Sequence, residues 1–433
     1  MAGRQTFRTA RDRIRSPGTT SVLVGSGLAG VGAYIFQVIG TRALGDEAYA
    51  PIGVLWTVQY LALTVALVSV EAYLTRTITV SASDDARVRR AVLTLSGWVG
   101  AVAVLVGAGT WIWRGPLFQD AGDDLALVAA LTVLGYGLLV LVRGHLAGMG
   151  RFQAYGAVTG AESMLRVAAA LPVALFVSTT RSLAWTLPLG TFAVAAWWLA
   201  AGRRTQRTRD RRRDRDLAHV ATAALPGRST GSYLAATTTA NAASQTLLAG
   251  GPLVLVPLGA GPAEISVFFI TITAARVPLV FAFGGVLSRV LPALTRAAQA
   301  GQLRRLRRLA VGIAGAALAV AVAGAGAGAW IGPEVVAFFF GAAFTPAGWF
   351  VALTVAGITL ATASLGLNQI LIAMGAELRL VAPWLAGLAA GGATVLAVGG
   401  APTLRVAAAF LVGEVIALGG LLAALLSARR RAS

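Results

Sequence analysis

The sequence contains no cysteine and no lysine, and only two histidines among its 433 residues. Without cysteine there is no disulfide and no thiolate metal site, and two scattered histidines cannot build a metal centre alone. Without lysine there is no P-loop side chain to grip a nucleotide phosphate. No cofactor is expected. Charge is scarce as well: 12% of the residues are charged, where a soluble chain carries about a quarter. The 36 basic residues, all arginine, outnumber the 17 acids and leave a formal charge of +19. Such an excess can signal nucleic-acid binding. Here the arginines cluster between apolar segments, so nucleic acid is not an expected partner.

What fills the chain is apolar. Hydrophobic residues make up 57% of it, in runs that repeatedly reach the roughly 20 residues needed to cross a bilayer. The pattern predicts an all-α polytopic membrane protein with about twelve spans. They fall near Thr20–Gly40, Ala50–Leu74, Ala91–Trp113, Leu125–Val142, Ala154–Val177, Leu183–Ala201, Gly231–Pro257, Ala263–Leu291, Leu309–Ile331, Ala347–Met374, Leu380–Val398 and Leu404–Leu426. The first run is longer than the roughly 7–15 residues of a signal peptide's apolar core, and it reads as a retained helix. Val335–Phe344 is too short to span and is expected at the interface or under a neighbouring loop.

Near the midpoint lies the most charged stretch, Gly202–Thr230, with nine arginines against three aspartates. It divides the chain into an N-terminal six-helix bundle with a basic arm (1–201), an arginine-rich cytoplasmic linker (202–230) and a C-terminal six-helix bundle (231–433). If the N-terminus is cytoplasmic, alternate loops and both ends carry 29 arginines, whereas the opposite loops carry four arginines and seven acids. The positive-inside rule then puts both termini in the cytoplasm, with the chain in the inner membrane.

The two halves resemble each other. Leu146–Gly150 closes the fourth span and Leu371–Gly375 the tenth, 225 positions apart; Leu44–Tyr49 and Ala260–Ile265 align at an offset of 216. Six spans per half means both halves run the same way, a parallel repeat that places a substrate site between them.

Gly25–Gly30 is a literal GxGxxG, but it lies inside a span, where small residues let helices pack closely. A dinucleotide site would need strand, turn and helix in water. Six ionisable residues lie inside spans: Glu71, Glu162, Arg166, Arg276, Arg289 and Glu414. Glu71 and Arg289 fall near the cytoplasmic ends, where structural roles are expected. Glu162 and Arg166, at i and i+4, can neutralise each other or face a lumen. Arg276 lies roughly 20 Å along its helix, with no acid within two turns. A charge at mid-membrane costs about 2.5–3.5 kcal/mol, so Arg276 is expected to face a hydrated cavity, the alternative being a partner such as Glu414. Its counterpart at the 216 offset is Tyr60, beside Gln59.

Pro278, two residues beyond Arg276, predicts a bend next to the charge. Asn241, Gln245, Asn368 and Gln369 are expected to bond between helices, with Asn241 also a candidate for the lumen wall. Gln302–Leu309 reads as an amphipathic segment on the anionic inner leaflet, so membrane lipids are expected partners. The loops hold no nucleophile–base pair or carboxylate dyad, and an enzyme is not expected.

Arg42–Tyr49 (RALGDEAY) resembles the R-x-L-G-x-x-x-Y/F turn of polysaccharide-export flippases, within the multidrug/oligosaccharidyl-lipid/polysaccharide superfamily. Gly144–Phe152, Leu291–Arg296 and Leu371–Gly375 are similar to further motifs of that family. The resemblance implies two six-helix bundles around a cavity lined chiefly by the first, second, seventh and eighth helices. It implies movement of a polyprenyl-pyrophosphate-linked oligosaccharide by alternating access, often driven by an ion gradient. On that reading Arg276, Arg166, Tyr60, Gln59 and Asn241 line the lumen, and Glu162 or Glu414 carries the coupling ion. Glycosyltransferases or a polymerase of a glycan pathway would then be partners. A drug or small-solute exporter of the same architecture is the first alternative, and a non-transporting scaffold for glycan assembly the second.

Overall fold

The computed structural model describes residues 17–80, 85–119, 121–205, 230–277 and 294–428. The basic N-terminal arm, most of the Arg-rich linker, Arg289 and the C-terminal arginines lie outside the described residues. Among the described residues every regular element is helical. In chain order the helices are α1 (Pro17–Leu61), α2 (Val68–Val80), α3 (Asp85–Ile112), the short α4 (Arg114–Phe118), α5 (Leu125–Gly148), α6 (Phe152–Phe176) and α7 (Thr180–Thr205). There follow α8 (Thr230–Ala249), the short α9 (Gly251–Leu255), α10 (Pro262–Ala275), α11 (Leu303–Phe340), α12 (Gly348–Ala373), α13 (Val381–Ala397) and α14 (Pro402–Ser427). The chain is an all-α polytopic membrane protein.

Eight described helical runs are long and apolar enough to cross a membrane. One of them, Thr20–Thr79, contains the first two expected spans, parted where Gly45 takes a left-handed φ of 76°. Helices α7, α8 and α10 stand at the sixth, seventh and eighth expected positions. The second half of the eighth lies outside the described residues.

Contacts divide the chain into two compact units. The first gathers Met1–Ala43, Ala66–Arg114 and Gly122–Ala224; the second gathers Leu44–Val65, Gly115–Ala121 and Leu225–Ser433. In the first unit α5 is central, packed by α2, α3 and α7. It is apolar on all sides because it is buried on all sides, through Leu125, Val128, Val133, Leu139, Val140 and Leu146. Helix α6 packs on α7 and also lies against α1, where a Cβ on Gly25 would fall 2.1 Å from the Gly156 carbonyl oxygen. The GxGxxG stretch is therefore a helix-packing seam, and Ser163 fastens it further by donating to the Ala29 carbonyl.

In the second unit α12 is central, packed by α11 and α14, while α13 lies between α14 and α8. Leu306, Leu360, Leu367, Leu371, Trp384, Leu421 and Leu425 form its core. Gln302–Leu309 does not stand apart as a surface segment: from Leu303 it forms the opening turns of α11, with Leu306 buried and Arg304, Arg305 and Arg308 exposed. Nor is Val335–Phe344 separate, because α11 continues to Phe340 with Pro333 inside it. At 1.5 Å per residue its 38 residues extend about 57 Å, well beyond a hydrocarbon core of about 30 Å.

The internal repeat shows in hydrogen bonds. Gly150 and Gly375 both adopt φ +66° just past the ends of α5 and α12. The N–H groups of Met149, Gly150 and Arg151 reach the carbonyls of His145, Ala147 and Leu146. Those of Met374, Gly375 and Ala376 reach Ile370, Ile372 and Leu371, every partner shifted by 225. At the other turn the left-handed glycines are Gly45 and Gly259, 214 apart. The buried Tyr49 and Ile265 that follow are 216 apart, so the second-half turn carries a two-residue insertion.

Candidate functional site

Arg276 sits where α10 ends. Its N–H reaches back to the carbonyls of Ile272 and Thr273, and α10 stops at Ala275; Pro278, where a bend is expected, lies outside the described residues. The cation thus stands at a one-residue interruption of the helix, with Val277 helical again after it. The half-buried guanidinium lies over the Tyr60 ring, 4.9 Å from its centroid. Its Nη2 is enclosed with no hydrogen-bond partner among the described residues, and no carboxylate there pairs with it. The expected alternative of a bond to Glu414 is not found.

Tyr60 and Arg276 are repeat equivalents, and they touch. Tyr60 also donates to Gln245 Oε1 at 2.9 Å. One turn earlier on α8, Asn241 donates to the Thr64 carbonyl at 2.8 Å. That carbonyl belongs to the wider-wound π segment Ala62–Leu67, which loosens the regular ladder, and the amide of Asn241 supplies it with a donor. Arg276, Tyr60 and Asn241 are thus gathered within the second unit, with Gln245 and Thr64 completing a polar shelf. Gln59 is 5% exposed, its Oε1 without a hydrogen-bond partner among the described residues.

Arg166 is elsewhere. In the first unit it ion-pairs with Glu162 one turn before it and bonds to the Tyr136 hydroxyl, which donates to Glu162 at 3.1 Å. All three are buried. The i,i+4 spacing foretold the pair; nothing in the pattern of α5 pointed to Tyr136. At the 225 offset the equivalents of Glu162 and Arg166 are Gly387 and Gly391, each pressed against a carbonyl of α14. The second unit fills with close helix contact what the first fills with polar groups. Elsewhere in the first unit, Glu71 takes Arg143 at 3.0 Å and the Tyr155 hydroxyl at 2.8 Å, the structural role expected of it. Glu414 lies in neither cluster. It is 0% exposed on α14, and neither carboxyl oxygen has a hydrogen-bond partner among the described residues.

Two of the arginines in the sparsely basic loops are neutralised locally. Arg114 meets Asp123 at 2.8 Å, and Arg181 meets Asp124 at 2.8 Å. Desolvation pushes the Asp124 carboxyl up, but hydrogen bonds from Trp185 and Arg181 together with the Arg181 charge outweigh it, and it titrates below the usual range. Asn368 accepts from Trp384 Nε1 at 3.1 Å, an interhelical bond as expected. Among the described residues no group of His, Asp and Glu could hold a metal ion.

No family model and no curated protein matches the chain. Solved structures do. An inward-facing multidrug resistance MATE family transporter of the MOP superfamily superposes with a TM-score of 0.64 at 15% identity, covering 94% of each chain. An outward-facing structure of that description gives 0.51 at 16%, covering 95% of this chain and 96% of the other. The Vibrio cholerae MATE transporter VcmN, in its bent form, gives 0.52 at 15%, covering 95% and 98%. The chain has the MATE fold. Its twelve-helix, two-repeat layout agrees with the MATE fold, whose length the chain nearly fills. On the twelve-span count, the Arg276–Tyr60 contact joins the eighth and second spans.

Proposed function

We propose that the chain is a flippase that moves a polyprenyl-pyrophosphate-linked oligosaccharide, a precursor of cell-surface polysaccharide, across the cytoplasmic membrane by alternating access. The observation that carries this reading is the Nη2 donor of Arg276, enclosed and without a hydrogen-bond partner among the described residues. A buried donor without a partner costs about 1–3 kcal/mol, and a pyrophosphate oxygen would remove that cost with a charge-assisted bond. Tyr60 fixes one face of the guanidinium by a cation–π contact and leaves its edge for the headgroup, while Asn241, whose Nδ2 is bound to the Thr64 carbonyl, keeps its Oδ1 for a sugar hydroxyl. The polyprenyl tail stays in lipid. The moving parts are the halves 1–201 and 231–433, with 202–230 as the cytoplasmic link between them. The resemblance of Arg42–Tyr49 to the flippase turn points the same way.

An exporter of organic cations is the second reading, supported by the likeness to multidrug transporters in fold. Against it stands the guanidinium itself, which repels a cationic solute from the Tyr60 ring it covers. Proteoliposomes holding a fluorescent lipid-linked oligosaccharide or ethidium separate the two. We expect the first to be moved, and Arg276→Ala to weaken its binding roughly 10- to 100-fold, the worth of a charge-assisted bond. Arg276→Ala moving the lipid-linked sugar at the wild-type rate would refute the assignment. Normal flipping in vesicles combined with loss of a glycan-assembly complex in cells would point to scaffolding.

A further inference from the structure

Helix α11 opens on four arginines, and two of them hold nothing among the described residues. Arg307 donates to the Ala428 carbonyl just past the end of α14, at 2.7 Å, and Arg305 to Gln302 Oε1 at 3.3 Å. Arg304 and Arg308 are exposed and make no ion pair among the described residues. The chain has no acid between Glu264 and Glu334. Glu264 is bonded to Thr403, Glu377 is buried in the turn before α13, and α12, packed along α11, has no ionisable residue. Like charges at i and i+4 repel, and the N-terminal end of a helix disfavours cations. An anion laid against this pair is therefore favoured on both counts.

The pair heads an exposed stripe on a helix apolar enough to cross the membrane. Arg304, Arg308, Val311, Gly315, Leu318 and Val322 recur at steps of three or four and are all exposed. Leu306, Ala310, Ala317 and Ala321 are buried on the opposite side. Below the arginines the stripe is hollow: a Cβ on Gly312 or on Gly315 would meet no atom within 4 Å. The hollow spans about 6–10 Å from Arg308 along the helix, on the apolar side of the charges, where a phospholipid's chains leave its headgroup.

The internal repeat supplies a comparison. At an offset of 215, Arg89, Arg90, Gly97 and Gly100 of α3 match Arg304, Arg305, Gly312 and Gly315 of α11. Gly97 and Gly100 are equally open. Arg308, however, is matched by Leu93, and α3 has Asp85 in its first turn, one turn before Arg89, where α11 has no acid. Helix α3 brings its own counter-charge. Helix α11 sets two arginines over the same hollow and brings none.

We propose that this face of α11 is a binding site for one anionic phospholipid. Arg304 and Arg308 take its phosphate through charge-assisted bonds, and an acyl chain lies along the stripe over Gly312 and Gly315. The leaflet is the one that receives the N-terminal end of α11, the cytoplasmic one on the sidedness expected from the arginine count. Diffuse attraction of arginines to an anionic surface fills no fixed place. The hollow beneath the pair sets both the place and a stoichiometry of one lipid per chain. The site requires only that α11 cross the membrane, so it stands or falls apart from the flippase reading.

Native mass spectrometry of the full chain released from detergent, with phosphatidylglycerol or phosphatidylcholine added, reads that stoichiometry. Wild type should retain one phosphatidylglycerol and prefer it to phosphatidylcholine, whose phosphate carries a compensating cation. Arg304→Gln combined with Arg308→Gln should weaken retention roughly 30-fold, the worth of two arginines at an anionic surface. Gly315→Leu fills the hollow, keeps both charges and should also weaken retention. Arg89→Gln with Arg90→Gln in α3 should leave it unchanged. Equal retention of the two lipids would overturn the proposal, as would unchanged retention in the Arg304 and Arg308 double variant. An equal loss from the α3 variant would overturn it too, since surface charge of any kind would then suffice. If the α11 double variant does not fold, Gly315→Leu decides, and full retention there removes the site.

Discussion

Arg166 and Arg276 are both guanidiniums within apolar helices, and their different surroundings illustrate what burial demands of a charge. Arg166, 3% exposed, sits within a carboxylate and a phenol; Arg276 sits on a ring with one nitrogen unmet among the described residues. Removing one partner of a buried pair leaves the other uncompensated, so Glu162→Gln should destabilise the first unit by about 3–5 kcal/mol, read as a lower unfolding midpoint in detergent. Tyr136→Phe removes only a hydroxyl and should cost about 1–3 kcal/mol. At Asp124 the sign with pH is fixed by direction. Its carboxyl titrates below the ordinary value of about 3.9, so its contribution is present above that pH and fades as pH falls through the folded value. Thermal midpoints of wild type and Asp124→Asn should therefore differ at pH 7 and converge on acidification. A gap that widened in acid would contradict this.

At the scale of elements, the two capping turns after α5 and α12 make the repeat physical. Gly150 and Gly375 share a φ that side chains adopt only with strain. Alanine at either position should cost about 1–2 kcal/mol, and the two losses should add, because the sites are distant. A much larger loss at one alone would mean the turns are not equivalent. Gly25→Ala should be worse, since the intruding methyl meets backbone that cannot swing aside; overpacking of this kind costs about 1–3 kcal/mol. These glycines were visible in the sequence as motifs, and the packing reading of Gly25–Gly30 needed only its apolar context. The π segment was not legible. Nothing in Ala62–Leu67 departs from the apolar pattern of a span, and the amide that pairs with its carbonyl comes from α8, far along the chain. For the same reason Asn241 and Gln245 could be read as interhelical bonders but not assigned partners. Helix α11 erred in the other direction. Its arginine-rich start and Pro333 look like boundaries, yet both sit within one continuous helix.

For the whole molecule, hydropathy and arginine placement sufficed to count spans and to expect two repeats, because lipid forces every backbone group into helix and leaves few other solutions. The folding of Leu44–Val65 with the C-terminal part was not readable, since it depends on contacts between residues far apart in sequence. Sidedness is the global property that the arginine count predicts most sharply: 29 against four is too unequal to survive inversion of the chain. It can be measured without interference because the protein has no cysteine. A cysteine in place of Asp123, whose side chain is 74% exposed, should react in intact cells with a thiol reagent that cannot cross the membrane. A cysteine in place of Arg212, within the basic linker, should react only after the membrane is opened. The reverse pattern would put the linker outside. It would also place the inner end of α11, with Arg304, Arg305 and Arg308, at the outer leaflet, and the alternating-access scheme would then run with its loading side exchanged.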